Sequence, residues 1–369
     1  MADTFIRTEE QTMLAGALRE MLDGVVDMDR TREMSLTDHA FDTDVWAALS
    51  DMGLVGMALS EEHGGAGSDF TDLAVVFEEL GRSVAAVPLL STVLAMAVID
   101  DLGSDDQRAE HLPTLASGAG IGTVAMFETA HSIGSDAVEA TATETSDGWA
   151  VQGTKHWVTD AGSATCFVVF AAANDGLAAF VVPSDSDGVT VQPVAALDAT
   201  RPLATVVFDV VVPHGARLGG DARGAWSSTI GLATVALAQE QVGGAQRCLE
   251  ESVEYAKSRH QFGRAIGSFQ AVKHKCADML VGVEHAKSAA WHAASTIGTS
   301  ESEIAIPLAK SVCSDAYLYA ASENIQIHGG IGFTWEHDAH LFFKRAKSTS
   351  LLFGSVEQHR DRLGVALGI

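Results

Sequence analysis

The chain has 369 residues, 47% of them hydrophobic, and a formal net charge of -26. That length exceeds one simple core and suits two or three domains, and the charge argues against nucleic acid or an anionic membrane surface as partner, since either would be repelled. No run of about 18 uncharged apolar residues is present to form a transmembrane helix, and Met1-Ala2-Asp3-Thr4-Phe5 has no basic region leading into an apolar one, so a cytoplasmic protein is expected.

From about residue 8 to 118 the apolar residues recur at helical spacing: Met13, Leu14, Leu18, Met21 and Leu22, then Val45-Trp46 with Leu49, Met52 and Leu54. A glycine-rich connection, Glu61 to Gly67, interrupts them before the periodicity resumes from Phe70 to Leu80 and from Pro88 to Leu102. At Gly118-Ala119-Gly120 the texture changes. Short segments rich in β-branched residues follow, such as Gly122–Phe127, Cys166–Phe170 and Ala204–Val210, separated by Ser146-Asp147-Gly148, Asn174-Asp175-Gly176 and Ser186-Asp187-Gly188 at turn spacing. These predict a compact antiparallel barrel or sandwich. Helical pattern returns from Trp226, with Phe269, Val272, Cys276, Met279, Leu280 and Val283 forming one apolar stripe. The expected organisation is therefore α+β and multidomain: a helical domain over 1–118, a β-domain over 119–222 and a helical domain over 223–369. Cys166, Cys248, Cys276 and Cys313 lie far apart without metal-ligand spacing, so free thiols and no metal site are expected.

Three segments can carry chemistry, and each also has a plain structural reading. Ser258 to Gln270 joins two helices through a glycine-bearing turn bracketed by Arg259 and Arg264, in a chain poor in positive charge. Arginine at a helix junction holds a pyrophosphate well, and an ordinary turn with two solvated arginines fits equally. Gln326-Ile327-His328-Gly329-Gly330-Ile331-Gly332 lets backbone approach a ligand closely, yet helix C-termini also favour glycine. Lys155 to Gly162 closes a strand on which Trp157 can stack against a planar ring and Thr159 can donate a hydrogen bond. A core tryptophan is the alternative.

Together, Trp157-Val158-Thr159, Arg259-x-x-Phe262-Gly263 with Phe269-Gln270, and Gln326-x-His328-Gly329-Gly330 resemble the acyl-CoA dehydrogenase family over nearly the whole chain, as do Leu54–Gly67 and Glu78-Glu79-Leu80-Gly81-Arg82. The resemblance implies a helical domain, a β-domain and a four-helix bundle, with FAD as cofactor, an acyl-CoA as substrate and electron-transfer flavoprotein as electron acceptor. It places Trp157 and Thr159 against the flavin ring. Arg259, Phe262, Gln326, Gly329 and Gly330 would bind the adenosine diphosphate half of FAD, usually that of a neighbouring subunit, and Ser355 would contact the flavin. In the family a glutamate removes the α-proton while the β-hydrogen leaves as hydride.

Two departures stand out. Leu352-Phe353-Gly354-Ser355-Val356-Glu357 resembles the segment that carries the family's glutamate, with Phe353 in its place. The second address that some members use, early in the first long helix of the bundle, is occupied by Ala233. The loop after the first strand also departs: Phe127 replaces a threonine, the spacing to Gly134-Ser135-Asp136 is two residues longer, and Glu128 survives. Glu240 is one candidate substitute base, about two helical turns or roughly 10 Å from Ala233, and the other reading makes it a buried carboxylate paired with an arginine. Glu357 is a similar candidate. The pattern resembles actinobacterial heteromeric α2β2 dehydrogenases acting on bulky steroid-CoA thioesters, in which one of two related chains supplies the base. This chain is then expected to be the subunit without a base, paired with a related subunit in a heterotetramer. A self-sufficient FAD enzyme with a relocated base and a non-catalytic homologue of the same fold are the alternatives.

Overall fold

The computed structural model describes residues 7–34, 41–129 and 132–369. In chain order its helices are α1 (Glu9–Val25), α2 (Met28–Met34), α3 (Thr43–Asp51), α4 (Phe70–Arg82), α5 (Leu89–Leu102), α6 (Asp105–Ala116), α7 (Ala222–Ser258), α8 (Gln270–Ser295), α9 (Ser302–His328), α10 (Ala339–Thr349) and α11 (Val356–Leu367). Its strands are β1 (Gly122–Ala125), β2 (Thr141–Thr145), β3 (Gly148–Thr159), β4 (Cys166–Ala173), β5 (Gly176–Pro183), β6 (Val189–Val194), β7 (Leu203–Val212), β8 (His260–Gln261) and β9 (Arg264–Ala265). Two compact units result: residues 1–32, 70–85 and 234–369 form one, and 33–69 with 86–233 the other.

The first unit is all helix apart from the β8–β9 hairpin. A capping box between Thr8 and Gln11 starts α1 and satisfies two backbone N–H groups. Ala15, Leu18 and Leu22 are its buried stripe, while Met13 is 69% exposed and lies off it, contrary to the sequence expectation. Helix α4 crosses α7 backbone to backbone: a Cβ at Gly81 would lie 2.0 Å from the Glu240 carbonyl oxygen, and one at Gly243 would lie 1.8 Å from that of Glu78. Only glycine permits this approach. Arg7 pairs with Glu78, Arg19 with Glu79 at 2.7 Å and Arg82 with Glu250 at 2.7 Å, which ties α1, α4 and α7 together. Small residues make the helix-packing core (Ala238, Val242, Ala286, Ala290, Ala309, Cys313), and larger ones gather around Tyr317 and Phe342. On α8, Met279 and Val283 are buried as the stripe predicts, but Leu280 is half exposed.

In the second unit α5 is buried along almost its whole length, and a Ser104–Gln107 capping box starts α6. Seven strands form one sheet in the order β1-β4-β2-β3-β7-β6, with β5 on β4. The fully antiparallel expectation needs correction: β1 pairs with β4 in parallel, Gly122 opposite Cys166 to Ala125 opposite Val169. All four β1 residues are buried, as suits a parallel strand covered on both faces. The core alternates along the strands, with Val151, Phe167, Val169, Phe180, Val206, Phe208 and Val210 inside. All four cysteines are free.

Candidate flavin and substrate site

In the second unit the Trp157 segment is shaped by a β-bulge. Pairing of β3 with β7 shifts register between Lys155 and Val158, and Trp157 takes φ +54° with its ring 38% exposed. A bulge of this kind re-aims a side chain, and several contacts fix it. The His156 N–H donates to the Phe127 carbonyl at 2.7 Å, and Lys155, fully buried, donates from Nζ to the Met126 carbonyl at 3.2 Å and to Glu128 Oε1 at 2.5 Å. Burial pushes the Lys155 pKa down, opposed by the hydrogen bond and charge of Glu128. Glu128 also accepts the backbone N–H groups of Glu139 and Ala140 at 2.7 and 3.0 Å. The carboxylate retained from the family's loop is thus committed to holding that loop on β3. Phe127 packs edge-on against Trp226 at 5.8 Å, and Arg223 bonds Ser135 and Asp136 at 3.2 and 2.5 Å. Ala130 and His131 of the same loop lie outside the described residues.

Thr159 is 2% exposed, and its hydroxyl has no hydrogen-bond partner among the described residues; its carbonyl accepts from Thr123 at 2.7 Å. Buried hydroxyls are almost always bonded, so an orphan beside an exposed indole matches what a flavin ring requires from this strand.

In the first unit, α7 ends at Ser258 and its Arg259 opens the β8–β9 hairpin. Phe262 and Gly263 have φ +53° and +78°, the two-residue left-handed turn that joins twisted strands. Phe262 is 92% exposed. Arg264 lies over the Phe269 ring at 4.0 Å, whereas the exposed Arg259 side chain makes no hydrogen bond or ion pair with the described residues. Gln326 is exposed in the last turn of α9, and Gly329 (φ +66°, ψ -137°) and Gly330 follow in a conformation that glycine favours. An unpaired guanidinium and open glycine backbone are the donors a diphosphate takes.

Phe353 is 6% exposed at φ +53° in the turn between α10 and α11. Fully buried Lys310 donates to the carbonyls of Thr349 and Leu352 at 2.6 and 2.8 Å, and His359 Nε2 lies 3.0 Å from the Phe353 carbonyl. Since a carbonyl only accepts, Nε2 carries that proton. Ser355 caps α11, accepting from the Gln358 N–H at 3.3 Å. Glu240 is 3% exposed, with Arg345 Nη1 at 2.7 Å from its carboxylate. Glu357 is exposed in the first turn of α11; the backbone N–H there and the Ser355 hydroxyl lower its pKa. Ala233 is fully buried. Sequence reading did not single out Lys310, His359 or Arg345. A lysine inside Ile306-Pro307-Leu308-Ala309-Lys310 was the one available signal.

The chain belongs to the acyl-CoA dehydrogenase family, FAD-dependent oxidoreductases acting on a CH–CH bond. Family models for the acyl-CoA dehydrogenase N-terminal, middle and C-terminal domains match residues 8–119, 124–211 and 225–368. The chain is 33% identical over 357 residues to the acyl-CoA dehydrogenase IpdE2 of Mycolicibacterium smegmatis, covering 96% of this chain and 98% of that one. Among solved structures, it is similar to a chain of the ChsE4-ChsE5 complex from Mycobacterium tuberculosis, with TM-score 0.91, 28% identity and 99% and 98% of the two chains covered. It is likewise similar to a chain of a Tcur3481-Tcur3483 steroid ACAD variant, with TM-score 0.88, 32% identity and 98% of each chain covered. No helix among the described residues is long and apolar enough to cross a membrane.

Proposed function

We propose that this chain is the subunit without a catalytic base in a heteromeric FAD-dependent acyl-CoA dehydrogenase, and that it lends FAD-binding residues to a related partner chain. One observation carries the reading: Phe353, at the position that the resemblance gives to the base, is a buried apolar residue, while Arg259 and Phe262 stand exposed in the hairpin of the same unit. When bound, FAD supplies the acceptor for the β-hydride. On this reading Arg259 neutralises the diphosphate, Gly329 and Gly330 present backbone to it, Gln326 and Phe262 flank it, and Ser355 donates to the flavin of this chain's own site. Trp157 covers a ring face and Thr159 donates from its orphan hydroxyl. The partner's site abstracts the α-proton.

Similarity to chains of the ChsE4-ChsE5 complex and of a steroid ACAD supports a heterotetramer and a bulky, steroid-type acyl-CoA as substrate. Electron-transfer flavoprotein is the proposed electron acceptor and the cytoplasm the proposed location. A self-sufficient enzyme with Glu240 as base is disfavoured, because Arg345 engages that carboxylate at 2.7 Å. Co-expression with the partner chain is expected to give yellow, active protein with about one FAD per heterodimer, and this chain alone to be colourless and inactive. An active yellow homotetramer from this chain alone refutes the proposal. Arg259→Ala is expected to strip flavin from the assembly, and unchanged flavin content removes the diphosphate assignment.

A further inference from the structure

Both segments assigned to the adenosine diphosphate half of FAD lead back to one residue, Tyr255, near the C-terminal end of α7, the first through its backbone and the second through its ring. Its carbonyl accepts the Arg259 N–H at 2.8 Å, which sets where the hairpin leaves the helix. Its ring lies against the imidazole of His328 with centroids 4.3 Å apart and planes inclined at 32°. His328 is the last residue of α9, directly before Gly329, and is 7% exposed. The ring of His337 also lies close, with its centroid 4.4 Å away and its plane inclined at 54°. His328 Nδ1 lies 2.8 Å from the Asn324 carbonyl; that oxygen only accepts, so Nδ1 carries the proton. Asn324 is itself fixed, receiving the Ser252 hydroxyl at 2.9 Å and donating to Glu251 at 3.2 Å. The turn beyond is tight: a Cβ on Gly332 would come within 2.9 Å of the His328 Cβ.

We propose that Tyr255 and His328 form a positioning pair that holds the Arg259 hairpin and the Gly329–Gly330 turn in fixed register, so that both reach one diphosphate. The inference rests on the FAD-donating role argued above and adds the device that fixes its geometry. Neither ring is assigned a contact with FAD. Their stacking links the end of α7 to the end of α9, and a cofactor that needs donors from both gains from having them fixed in advance.

The pair works with a neutral His328. Burial lowers the His328 pKa, the Asn324 carbonyl opposes this, and His337 and then Glu251 have smaller effects. The groups facing it are Tyr255 and Glu251 on α7, His337 in the following loop and Asp338 beside it; Arg247 pairs with Glu251 at 2.8 Å and Arg32 with Asp338. Acid puts a charge on a buried ring, so His328 leaves its place against Tyr255 and the glycine turn loses its register.

The test uses the full-length chain purified with the chain it assembles with, stripped of flavin and titrated with FAD. His328→Ala is expected to weaken FAD binding about tenfold near neutral pH, the scale of a lost aromatic pair. His328→Phe keeps the stack but cannot be protonated. It is expected to bind within about twofold of the parent and to lose the weakening, about threefold or more, that the parent shows on going from about pH 7.5 to 5.5. An FAD affinity in His328→Ala equal to the parent's, acid weakening retained in His328→Phe, or FAD binding that tightens in acid each overturns the positioning pair; the last would make His328 a direct cation for the diphosphate. Arg259→Ala separates the two levels of the argument. If it too leaves FAD in place, the site assignment itself fails, and if it strips FAD while His328→Ala does not, only the positioning pair fails.

Discussion

Replacing Glu240 separates a structural carboxylate from a displaced base. Its side chain and that of Arg345 are 4% and 1% exposed and meet at 2.7 Å, joining α7 to α10. Removing one member strands the other as a buried charge, at a cost of about 3–5 kcal/mol. Glu240→Gln keeps shape and an acceptor for the guanidinium, so its loss falls at the low end of that range, and Arg345→Met falls at the high end. At roughly 2–4 °C per kcal/mol for a unit of this size, the melting temperature drops by about 6–20 °C. The double variant is expected to recover much of the loss, because replacing a buried pair together is often close to neutral. Thermal melts of the four proteins of this double-mutant cycle, together with turnover per bound flavin in the assembled enzyme, make the assay. A structural role gives a large coupling energy and turnover per flavin close to the parent's. The reasoning is refuted if Glu240→Gln melts with the parent and its turnover disappears.

Three further perturbations follow from single observations. Thr159→Val removes a buried hydroxyl without a partner, so the flavin-free chain is expected to gain about 1 kcal/mol in urea unfolding while FAD binding weakens about 3- to 10-fold; loss of stability with unchanged FAD affinity contradicts the site. Burial, opposed by the Phe353 carbonyl, lowers the His359 pKa from 6.5 to about 4. The unfolded chain therefore takes up this proton first, and the stability His359 contributes, complete above about pH 6.5, declines as pH falls, by about 2 kcal/mol at pH 5. His359→Leu is expected to flatten that acid limb by about this amount, and an unchanged limb refutes the assignment. Gly243→Ala drives a methyl group into the Glu78 carbonyl and is expected to destabilise by about 1–3 kcal/mol or more, against an Ala245→Gly control; a neutral effect in chemical unfolding shows that α4 and α7 can separate without cost.

Much of the fold is legible in the sequence because its signals are local. The pattern from Phe70 to Leu80 is α4, the run after Pro88 is α5, and the aspartate-glycine pairs fall at the turns of the sheet. Parallel pairing of β1 with β4 was not legible: it joins residues 44 apart, and a four-residue strand buried throughout shows no alternation to tell its faces apart. The site divides the same way. Arg259, Gly329 and Gly330 belong to short segments whose residue types announce the turns found there. Arg345, Lys310 and Lys155 act through partners 105, 42 and 27 residues away, and no periodicity links such pairs. Glu240 was expected to have an arginine beside it, but its identity required coordinates.

The turn that carries Phe353 is held by contacts of its backbone and its flanking residues. A bulky residue at φ +53° is strained, by about 1–2 kcal/mol, and persists only where its surroundings dictate it. Here they do so for reasons of stability: Lys310 satisfies the terminal carbonyls of α10, the Phe353 carbonyl receives His359, and Ser355 begins α11. These contacts all use backbone or flanking residues, so they hold the turn whatever side chain sits at 353. A glutamate there would have to desolvate its carboxylate in a nearly closed position, whereas phenylalanine gains about 2–3 kcal/mol from the same burial. On the proposed reading, the subunit that gave up proton abstraction removed a buried charge and stabilised its own core. Phe262 points the other way: at 92% exposed it gains little from burial, although its ring meets that of Phe269 edge-on at 6.2 Å. A chain under selection for stability alone would replace Phe262 and keep Phe353, and one acting by itself as a dehydrogenase would require the reverse. On the proposed reading, keeping both fits a subunit whose contribution is made on a neighbour.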